Sequence, residues 1–267
     1  MSRGILLVGC GKMGSALLAG WLRQGIAAAD IIVVEPNPIP DLPAGIRHVD
    51  AASAIPAAFA PTLIMLAVKP QVVDAIAPAY LGYAAKGACF LSIAAGKTIA
   101  TLNGLLGGSA ALIRAMPNTP AAVGAGITVA CANGGVSAAQ RAFCESLLTA
   151  VGEVGWVENE ALIDAVTAVS GSGPAYVFWM TECLAAAGEK AGLDAELAAR
   201  LARATVAGSG ALMRQSPESP GQLRRNVTSP NGTTQAALDV LMAPDGLAPL
   251  MERAVAAAAR RSQELAG

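Results

Sequence analysis

The chain has 267 residues, of which 54% are hydrophobic, and a formal net charge of −1. This length accommodates one large domain or two modest ones, and the apolar content excludes wholesale disorder. The near-neutral charge argues against a nucleic-acid partner held by a broad basic surface. We therefore expect a globular protein that binds no nucleic acid.

No segment of the sequence reads as membrane-spanning. The longest apolar stretch, residues 51–68, is interrupted by Ser53, Pro56, Pro61 and Thr62. A spanning helix needs about 20 mostly apolar residues. The apolar run near the N-terminus is short and ends in glycines, unlike a secretory signal. We predict no membrane association and a cytoplasmic location.

The cysteines and the histidine give no sign of a metal site. No CxxC motif occurs, and His48 is the single histidine. Zinc sites and multi-histidine mechanisms are therefore unsupported, and the scattered thiols suit a reducing compartment. The five cysteines are Cys10, Cys89, Cys131, Cys144 and Cys183.

The first half of the chain alternates strand and helix patterns. This alternation predicts a parallel sheet that is covered by helices on both faces. Helices are predicted between the first two strands and over 70–83 and 137–151. The predicted strands are 5–8, 31–34, 62–68, 88–93, 111–114 and 127–131.

The second half reads as entirely helical, so we place a domain boundary near Val157. The predicted domains are 1–157 and 158–267. An Ala-rich helical half packs against itself or against a second copy. The predicted helices of this half are 161–169, 175–191, 195–212, 234–242 and 247–265.

A glycine-rich loop, residues 9–14 (GCGKMG), follows the first predicted strand and opens a helix. In this fingerprint Gly9 permits the tight turn, Gly11 lets a pyrophosphate approach, and Gly14 lets helix and strand pack closely. The pattern predicts dinucleotide binding at the helix N-terminus. The alternative is a glycine turn in a fold that has lost its ligand.

The second predicted strand ends at Glu35, where an acid can accept hydrogen bonds from the ribose hydroxyls of an NAD(H) adenosine. This carboxylate would repel a 2′-phosphate. No arginine lies between Arg23 and Arg47 to bind that phosphate locally. The alternative is a solvated side chain in a proline-rich turn.

Three further strand ends carry loop motifs, at residues 67–70, 92–96 and 114–120. Ligands of open α/β sheets lie beyond the carboxyl ends of the strands, so these loops are candidates for the nicotinamide side of the site. Asn118 is a candidate partner of the carboxamide. The alternative for Lys69 is an exposed charge, and for the prolines rigid turns.

Residues 226–234 (NVTSPNGTT) form the most informative polar segment. Backbone N–H groups around Gly232 at a helix start can hold a carboxylate. A threonine hydroxyl can bond a reacting nitrogen. The alternative is an ordinary helix cap, in which Thr233 or Thr234 bonds its own backbone.

Two other features have simple alternatives. The segment 170–176 (SGSGPAY) suits the start of a long helix or a tight interhelical turn. Glu160 and Asp164 are four residues apart, a spacing that predicts a shared helix face. They would then bind a cation or lie in water.

Taken together, these motifs resemble the pyrroline-5-carboxylate reductase family. The resemblance runs over nearly the whole chain, and the last two motifs are the specific ones. The motifs are GCGKMG at 9–14, LAVKP at 66–70, SIAAG at 92–96, MPNTP at 116–120, LIDAVTAVSGSGPAY at 162–176 and NVTSPNGTTQAAL at 226–238.

The resemblance implies an N-terminal Rossmann-type domain and an all-α C-terminal domain that interlocks with a partner's in a homodimer, which can assemble further. It implies that the hydroxyl of Thr234 bonds the substrate's ring nitrogen. Substrate contacts fall on Glu160, Asn226, Val227, Ser229, Gly232, Thr233 and Thr234. Cofactor contacts fall on Val8, Gly9, Cys10, Gly11, Lys12, Met13, Ala67, Val68, Lys69, Pro70, Ala94, Ala95 and Gly96; the glycine fingerprint adds Gly14, and the strand ends add Glu35 and Asn118.

The chain departs from the family pattern at four positions. Arg225 replaces the usual acid, Asn231 the usual first glycine of a pair, and Ala51 the usual asparagine. Strand two ends in Glu35, where members that prefer NADPH offer Ser, Asn, Arg or Thr. The expected cofactor is therefore NADP(H) or NAD(H).

The predicted reaction is hydride transfer from a reduced nicotinamide to the C=N bond of 1-pyrroline-5-carboxylate, giving L-proline, with no metal. One alternative is a β-hydroxyacid dehydrogenase, whose catalytic lysine would fall within 174–180. That stretch contains no lysine, and Lys190 is the only one after residue 97. A second alternative is a nucleotide sensor without catalysis.

Overall fold

The structure is a computed structural model that describes residues 4–266, with side chains through Leu265. The chain forms two compact units. Unit one comprises the chain up to Gly171 together with the residues from Ala258 onward, and unit two comprises Ser172–Ala257. These units divide the chain later than Val157. The proposed division into functional domains at that residue stays a prediction.

Unit one is built on a sheet of eight strands in the order β3-β2-β1-β4-β5-β6-β7-β8. The first six strands are parallel, and their order is that of a doubly wound dinucleotide-binding sheet. The strands are β1 Ile5–Val8, β2 Ile31–Val34, β3 Arg47–Val49, β4 Leu63–Leu66, β5 Cys89–Ser92, β6 Ala111–Met116, β7 Gly126–Ala132 and β8 Gly152–Trp156.

The prediction of an all-parallel sheet is wrong at one edge. β7 runs antiparallel to β6, and β8 runs parallel to β7. A parallel connection needs a crossover of a dozen or more residues, and the short link 117–125 allows only a reversal. β3 and β8 were not predicted because one carries the exposed Arg47 and His48 and the other is rich in glycine.

Helices cover both faces of the sheet, as predicted. Leu7 packs in one buried layer and Leu6 in the other, as alternate residues of a strand do. Helix α4 was not predicted, and the helix predicted over 70–83 is interrupted by a 3₁₀ turn that contains Pro78. The helices are α1 Lys12–Arg23, α2 Pro70–Ile76, α3 Leu81–Ala84, α4 Ile99–Leu105, α5 Ala138–Leu148 and α6 Leu162–Val166, which continues as a π-helical turn over Thr167–Gly171.

Unit two is helical throughout, as predicted, but α9 was not anticipated. Its helices are α7 Gly173–Lys190, α8 Ala195–Gln215, α9 Pro220–Asn226, α10 Thr233–Leu241 and α11 Leu247–Ala266, of which the last turns belong to unit one. The buried side chains of α7 to α10 are only Ala198 and Ala202. In the described part of the chain, no helix is long and apolar enough to cross a membrane.

Candidate functional site

One edge of the sheet gathers the loops that were singled out in the sequence. β1, β4, β5 and β6 are successive parallel neighbours, so their carboxyl ends meet at this edge. The segments that follow them are residues 9–14, 67–70, 93–96 and 117–118, of which the first runs into α1 and the second into α2. The topology therefore assembles the predicted cofactor residues at the place where open α/β sheets bind ligands.

The three glycines of the fingerprint occupy their positions for different physical reasons. Gly9 has φ +91°, and a Cβ atom there would lie 2.7 Å from the Ala67 carbonyl oxygen. A Cβ atom on Gly14 would lie 2.5 Å from the Gly9 carbonyl oxygen. A Cβ atom on Gly11 would meet no atom within 4 Å. Internal packing thus requires glycine at the first and third positions, whereas Gly11 faces open space.

The start of α1 is free to receive an anion. Gly11 is its N-cap, no side chain caps it, and its first turn contains no acidic residue. Its uncapped N–H groups and its dipole attract negative charge. Lys12 is exposed and Cys10 and Met13 are partly buried beside it. This is the arrangement that a pyrophosphate requires.

Glu35 turns toward the glycine loop. Its carboxylate accepts a hydrogen bond from the Cys10 N–H at 3.1 Å, and from the Asn37 backbone and side chain at 3.2 and 2.9 Å. Burial raises the pKa of Glu35, but these N–H donors and nearby His48 outweigh burial, so the pKa lies below its ordinary value. The carboxylate is therefore ionised and fixed against the glycine loop, and its role toward an adenosine ribose stays a prediction.

The loop at 67–70 packs behind the glycine turn. Val8 accepts a hydrogen bond from the Ala67 N–H at 2.7 Å, and Val68 lies against the Gly9 position. Lys69 is exposed and is the N-cap of α2, with Pro70 in the first helical turn. The exposed-charge alternative for Lys69 fits this position.

The next loop, 93–96, is held more tightly. Ala94 is buried, Ala95 is exposed, and Gly96 adopts a left-handed φ of +73°. The Ala94 N–H donates to the Ser92 hydroxyl at 3.3 Å, and the Lys97 N–H donates to the Ala94 carbonyl. Of the predicted contacts here, Ala95 is the one presented at the surface.

Asn118 joins two elements of the sheet. Its side-chain carbonyl accepts from the Ile127 N–H at 2.9 Å, which fixes the start of β7. The amide nitrogen is then the group that remains to meet a ligand carbonyl. Its role toward a carboxamide stays a prediction.

Glu160 pairs with a buried cation, Arg114, for which no partner was predicted. Its Oε1 atom accepts from Arg114 at 2.9 Å and from the Ile99 N–H at 2.8 Å. The Arg114 side chain is 5% exposed. The signal for this pair was an arginine inside an otherwise apolar strand, residues 111–116.

The expected shared face of Glu160 and Asp164 is wrong, because α6 begins only at Leu162. Asp164 instead accepts a hydrogen bond from the Ser262 hydroxyl at 2.6 Å. Ser262 was not anticipated as a partner of any residue. Within residues 4–266, no cluster of three metal-ligating side chains occurs.

In unit two, a tight turn presents the polar segment. The Gly232 N–H donates to the Ser229 carbonyl at 3.1 Å, with Pro230 and Asn231 between them. Asn231 has φ +59°, the left-handed conformation that a type II turn demands at this position. Asparagine tolerates this conformation, so the departure from the family's glycine preserves the turn.

The alternative role of Thr233 or Thr234 as a helix cap is wrong. The N-cap of α10 is Gly232, and no side chain caps this helix. A Cβ atom on Gly232 would clash with the Ser229 hydroxyl. Thr233 is exposed and Thr234 is partly buried, both in the first turn. The turn thus offers backbone donors and two hydroxyls together.

Asn226 ends α9 and is held by two neighbours. Its Oδ1 accepts from the Gln222 amide at 2.7 Å, and its Nδ2 donates to Glu218 at 2.9 Å. Arg225, in place of the family's acid, donates to Gln222 at 2.6 Å. Val227, the next residue, is exposed. Arg225 therefore steadies the amide that orients Asn226.

Two families have sequence models that match this chain. The family described as pyrroline-5-carboxylate reductase dimerisation matches residues 160–265. The family described as NADP oxidoreductase coenzyme F420-dependent matches residues 4–96. The first match covers all the predicted substrate residues, and the second covers the loops after β1, β4 and β5.

Full-length relatives agree with these matches. The pyrroline-5-carboxylate reductase of Pseudomonas aeruginosa is 42% identical over 264 residues, 98% of this chain and 96% of that protein. That of Synechocystis sp. is 41% identical, covering 99% of each. The structure of a pyrroline-5-carboxylate reductase from Coxiella burnetii covers 100% of both chains with a TM-score of 0.93 and 33% identity. A Plasmodium falciparum pyrroline carboxylate reductase with NADP bound has a TM-score of 0.83 and 28% identity, covering 99% of this chain and 98% of that one.

Proposed function

This chain belongs to the pyrroline-5-carboxylate reductase family, and we therefore propose that it reduces the C=N bond of 1-pyrroline-5-carboxylate to give L-proline, using a nicotinamide nucleotide. The observation that carries this proposal is a pair of uncapped helix starts, one in each unit. Gly11 opens α1 and Gly232 opens α10, and neither helix is capped by a side chain. Each start attracts an anion, which suits a pyrophosphate and a carboxylate.

On the cofactor side, the chain's task is to bind and orient. The start of α1 receives the pyrophosphate, and Glu35 accepts from ribose hydroxyls. Lys69 and Ala95, both exposed, face the remaining length of the nucleotide, and Asn118 offers its amide nitrogen. The bound nicotinamide supplies the hydride, and no metal is required because a protonated imine is already electrophilic.

On the substrate side, the N–H groups at the start of α10 hold the carboxylate. The Thr234 hydroxyl holds the ring nitrogen and orients the imine carbon. Thr233, Ser229, Asn226 and Val227 complete the polar and apolar surroundings of this turn. Glu160 stays a predicted substrate residue on the family resemblance alone, since its Oε1 atom already accepts from Arg114 and Ile99.

We propose NADH as the preferred cofactor of this chain. The Glu35 carboxylate is ionised and directed at the glycine loop, where a 2′-phosphate would meet like charge. Ala51 offers no side-chain donor in compensation. NADP is bound in the Plasmodium falciparum relative, so the preference is proposed for this chain and not for the family.

We further propose a homodimer in the cytoplasm. The matched dimerisation family and the exposed apolar side chains of unit two support the dimer. All five cysteines are free thiols, as in a reducing compartment. Light scattering measures whether these dimers assemble further.

The test is a turnover assay with pyrroline-5-carboxylate, in which NADH and NADPH are compared by kcat/KM. We expect a higher value for NADH, and Glu35→Ser reverses part of that preference. Thr234→Ala should lower kcat about 10²-fold, the scale of one positioned polar group, whereas Thr234→Ser keeps the hydroxyl and most of the rate.

The outcomes separate the rival functions. Nucleotide binding without imine reduction, in folded protein, would favour the nucleotide sensor. Oxidation of 3-hydroxy acids would favour a β-hydroxyacid dehydrogenase, although residues 174–180 contain no lysine. Full turnover in Thr234→Ala removes this hydroxyl from the mechanism.

A further inference from the structure

The C-terminal turn of α11 contains an isolated inward-facing side chain. Ser262 is 6% exposed, whereas Arg261, Gln263, Glu264 and Leu265 around it are exposed. The turn therefore does not pack on unit one through an apolar stripe. A polar contact holds it in place.

That contact is the hydrogen bond from the Ser262 hydroxyl to Asp164 Oδ1, at 2.6 Å. Asp164 lies on α6, four residues after Glu160, which bonds the Ile99 N–H at the start of α4. This hydrogen bond is partly buried, and a hydrogen bond to a carboxylate is stronger than one between neutral groups. The short segment 160–164 thus fixes both the C-terminal turn and the residues that follow the 94–96 loop.

The same turn touches that loop directly. A Cβ atom on Gly96 would lie 2.8 Å from the Leu265 carbonyl oxygen and 3.4 Å from the Leu265 Cβ atom. The backbone of the C-terminal turn therefore lies flush against the backbone of the loop. Gly96 is required here for its left-handed φ and also because nothing larger fits beneath the helix end.

The residues that follow the loop have further restraints of their own. Lys97 pairs with Asp74 of α2 at 2.7 Å, and Thr98 caps α4 by accepting from Thr101. The Lys97–Asp74 pair is partly exposed, and such pairs contribute little to stability. The C-terminal turn adds a close backbone contact at Gly96.

We propose that the C-terminal turn, residues 262–265, is a positioning element for nucleotide binding, held against α6 by the Ser262–Asp164 hydrogen bond. It supports Ala95 and Gly96 from behind, so that the loop keeps the shape that the nucleotide needs. Ser262 and Asp164 touch neither substrate nor nucleotide and act through the loop. The inference rests on the proposed function only in assigning the 94–96 loop to the cofactor.

The experiment compares Ser262→Ala with Arg261→Ala in the full-length protein. Arg261 directly precedes this turn, and its guanidinium pairs with Glu264 at the surface. We measure the Kd of NADH by fluorescence titration, and KM and kcat by turnover. Ser262→Ala should raise Kd and KM for NADH about three- to tenfold, the scale of one lost hydrogen bond. Arg261→Ala should leave both unchanged, and kcat at saturating NADH should stay within about twofold in each variant.

Substitutions of Asp164, the partner of Ser262, provide a second test. Asp164→Asn keeps an oxygen acceptor for the serine hydroxyl and should retain tight binding, whereas Asp164→Ala should match Ser262→Ala. The double variant Ser262→Ala, Asp164→Ala should bind NADH no more weakly than either single variant, because both substitutions remove the same contact. If Ser262→Ala does not fold, Ser262→Cys is used instead, because it keeps a side chain of similar shape with a weaker donor. It should raise the Kd of NADH by a smaller factor.

Equal Kd values in Ser262→Ala and Arg261→Ala would overturn the proposal. So would a loss of kcat in Ser262→Ala with no change in Kd. The Kd of NADH is measured without the imine. A wild-type protein that binds NADH but does not reduce the imine would therefore contradict the proposed function, while the Kd comparison of the variants would still test this proposal.

Discussion

Tryptophans and phenylalanines mark the difference between the two units. In unit one, Trp21 and Phe90 are 0% exposed, and the Trp21 indole N–H donates to the Leu147 carbonyl. In unit two, Trp179 is 64% and Phe178 62% exposed, neighbours on the same helix. The same residue types are thus buried by the sheet in one half and left at the surface in the other.

This difference follows from architecture. A doubly wound sheet has two faces, and each face gains its own buried layer from the helices of the same chain. The eighteen-residue helix α7 contains no buried residue at all in the single chain. Contiguous exposed apolar surface of this kind marks an interface. Unit one completes its core alone, and we infer that unit two shares a core with a second copy.

The largest effect should come from charge on the apolar surface of unit two. Phe178→Asp would place a carboxylate where we expect the second copy to pack, and burying an unpaired charge is strongly unfavourable. We expect loss of the dimer by light scattering and loss of turnover. Glu182→Gln, a change on the same helix that removes a charge, is the control. A dimer that survives Phe178→Asp places the interface elsewhere.

Within unit one, the Arg114–Glu160 pair should have the next largest effect. Removing one partner of a buried pair leaves an uncompensated charge, which costs about 3 kcal/mol or more of unfolding free energy. Glu160→Ala should therefore unfold at clearly lower denaturant concentration than the wild type. The double variant Arg114→Met, Glu160→Met should regain much of this loss. If Glu160→Ala changes turnover but not stability, Glu160 acts on the substrate alone.

The two glycines of the cofactor loop should respond in opposite ways. Gly9→Ala should lower the unfolding free energy by about 2 kcal/mol, because the new methyl group meets the Ala67 carbonyl and the left-handed backbone is strained. Gly11→Ala meets no atom within 4 Å and should leave stability unchanged. It should instead weaken NADH binding about tenfold or more, since it fills space reserved for the ligand. Thermal unfolding and fluorescence titration read the two effects separately.

The smallest effect concerns pH. The pKa of Glu35 lies below its ordinary value of 4.5, so its ionised form stabilises the folded state above about pH 4.5. This contribution is lost as pH falls through the folded-state pKa. Comparing Glu35→Gln with the wild type, the stability difference should be constant near neutrality and shrink in acid. Parallel acid-unfolding curves would mean that the Cys10 and Asn37 contacts do not hold the carboxylate in solution.

Much of the fold could be predicted from pattern. The fingerprint 9–14, the buried strands of unit one and the long helices of unit two follow from local periodicity, which the chain carries without reference to its tertiary neighbours. The short strand β3 and the reversal at β7 could not be predicted, because edge pairing is decided by partners distant in sequence. Helix α9 was not predicted because its sequence is mostly polar and begins with Pro220 and Gly221.

The site divides in the same way. Glycine positions and the polar turn 229–232 are visible in the sequence because their backbone conformations restrict the residue type. The partners of Glu160 and Asp164 are not visible, since Arg114 and Ser262 come from segments 46 and 98 residues away. Only the folded structure shows that Glu160 and Asp164 contact different partners.

The sequence by itself determined the local features: the glycine loop at the start of a helix, the turn before Thr233, the thiols without metal spacing, and the helical second half. Short-range backbone sterics and hydrophobic period fix these, so a few neighbouring residues suffice. Only the tertiary structure decided where Glu35 points, which cation pairs with Glu160 and which residue accepts the Ser262 hydrogen bond. These depend on side chains brought together across the sheet, where burial and charge decide each partner.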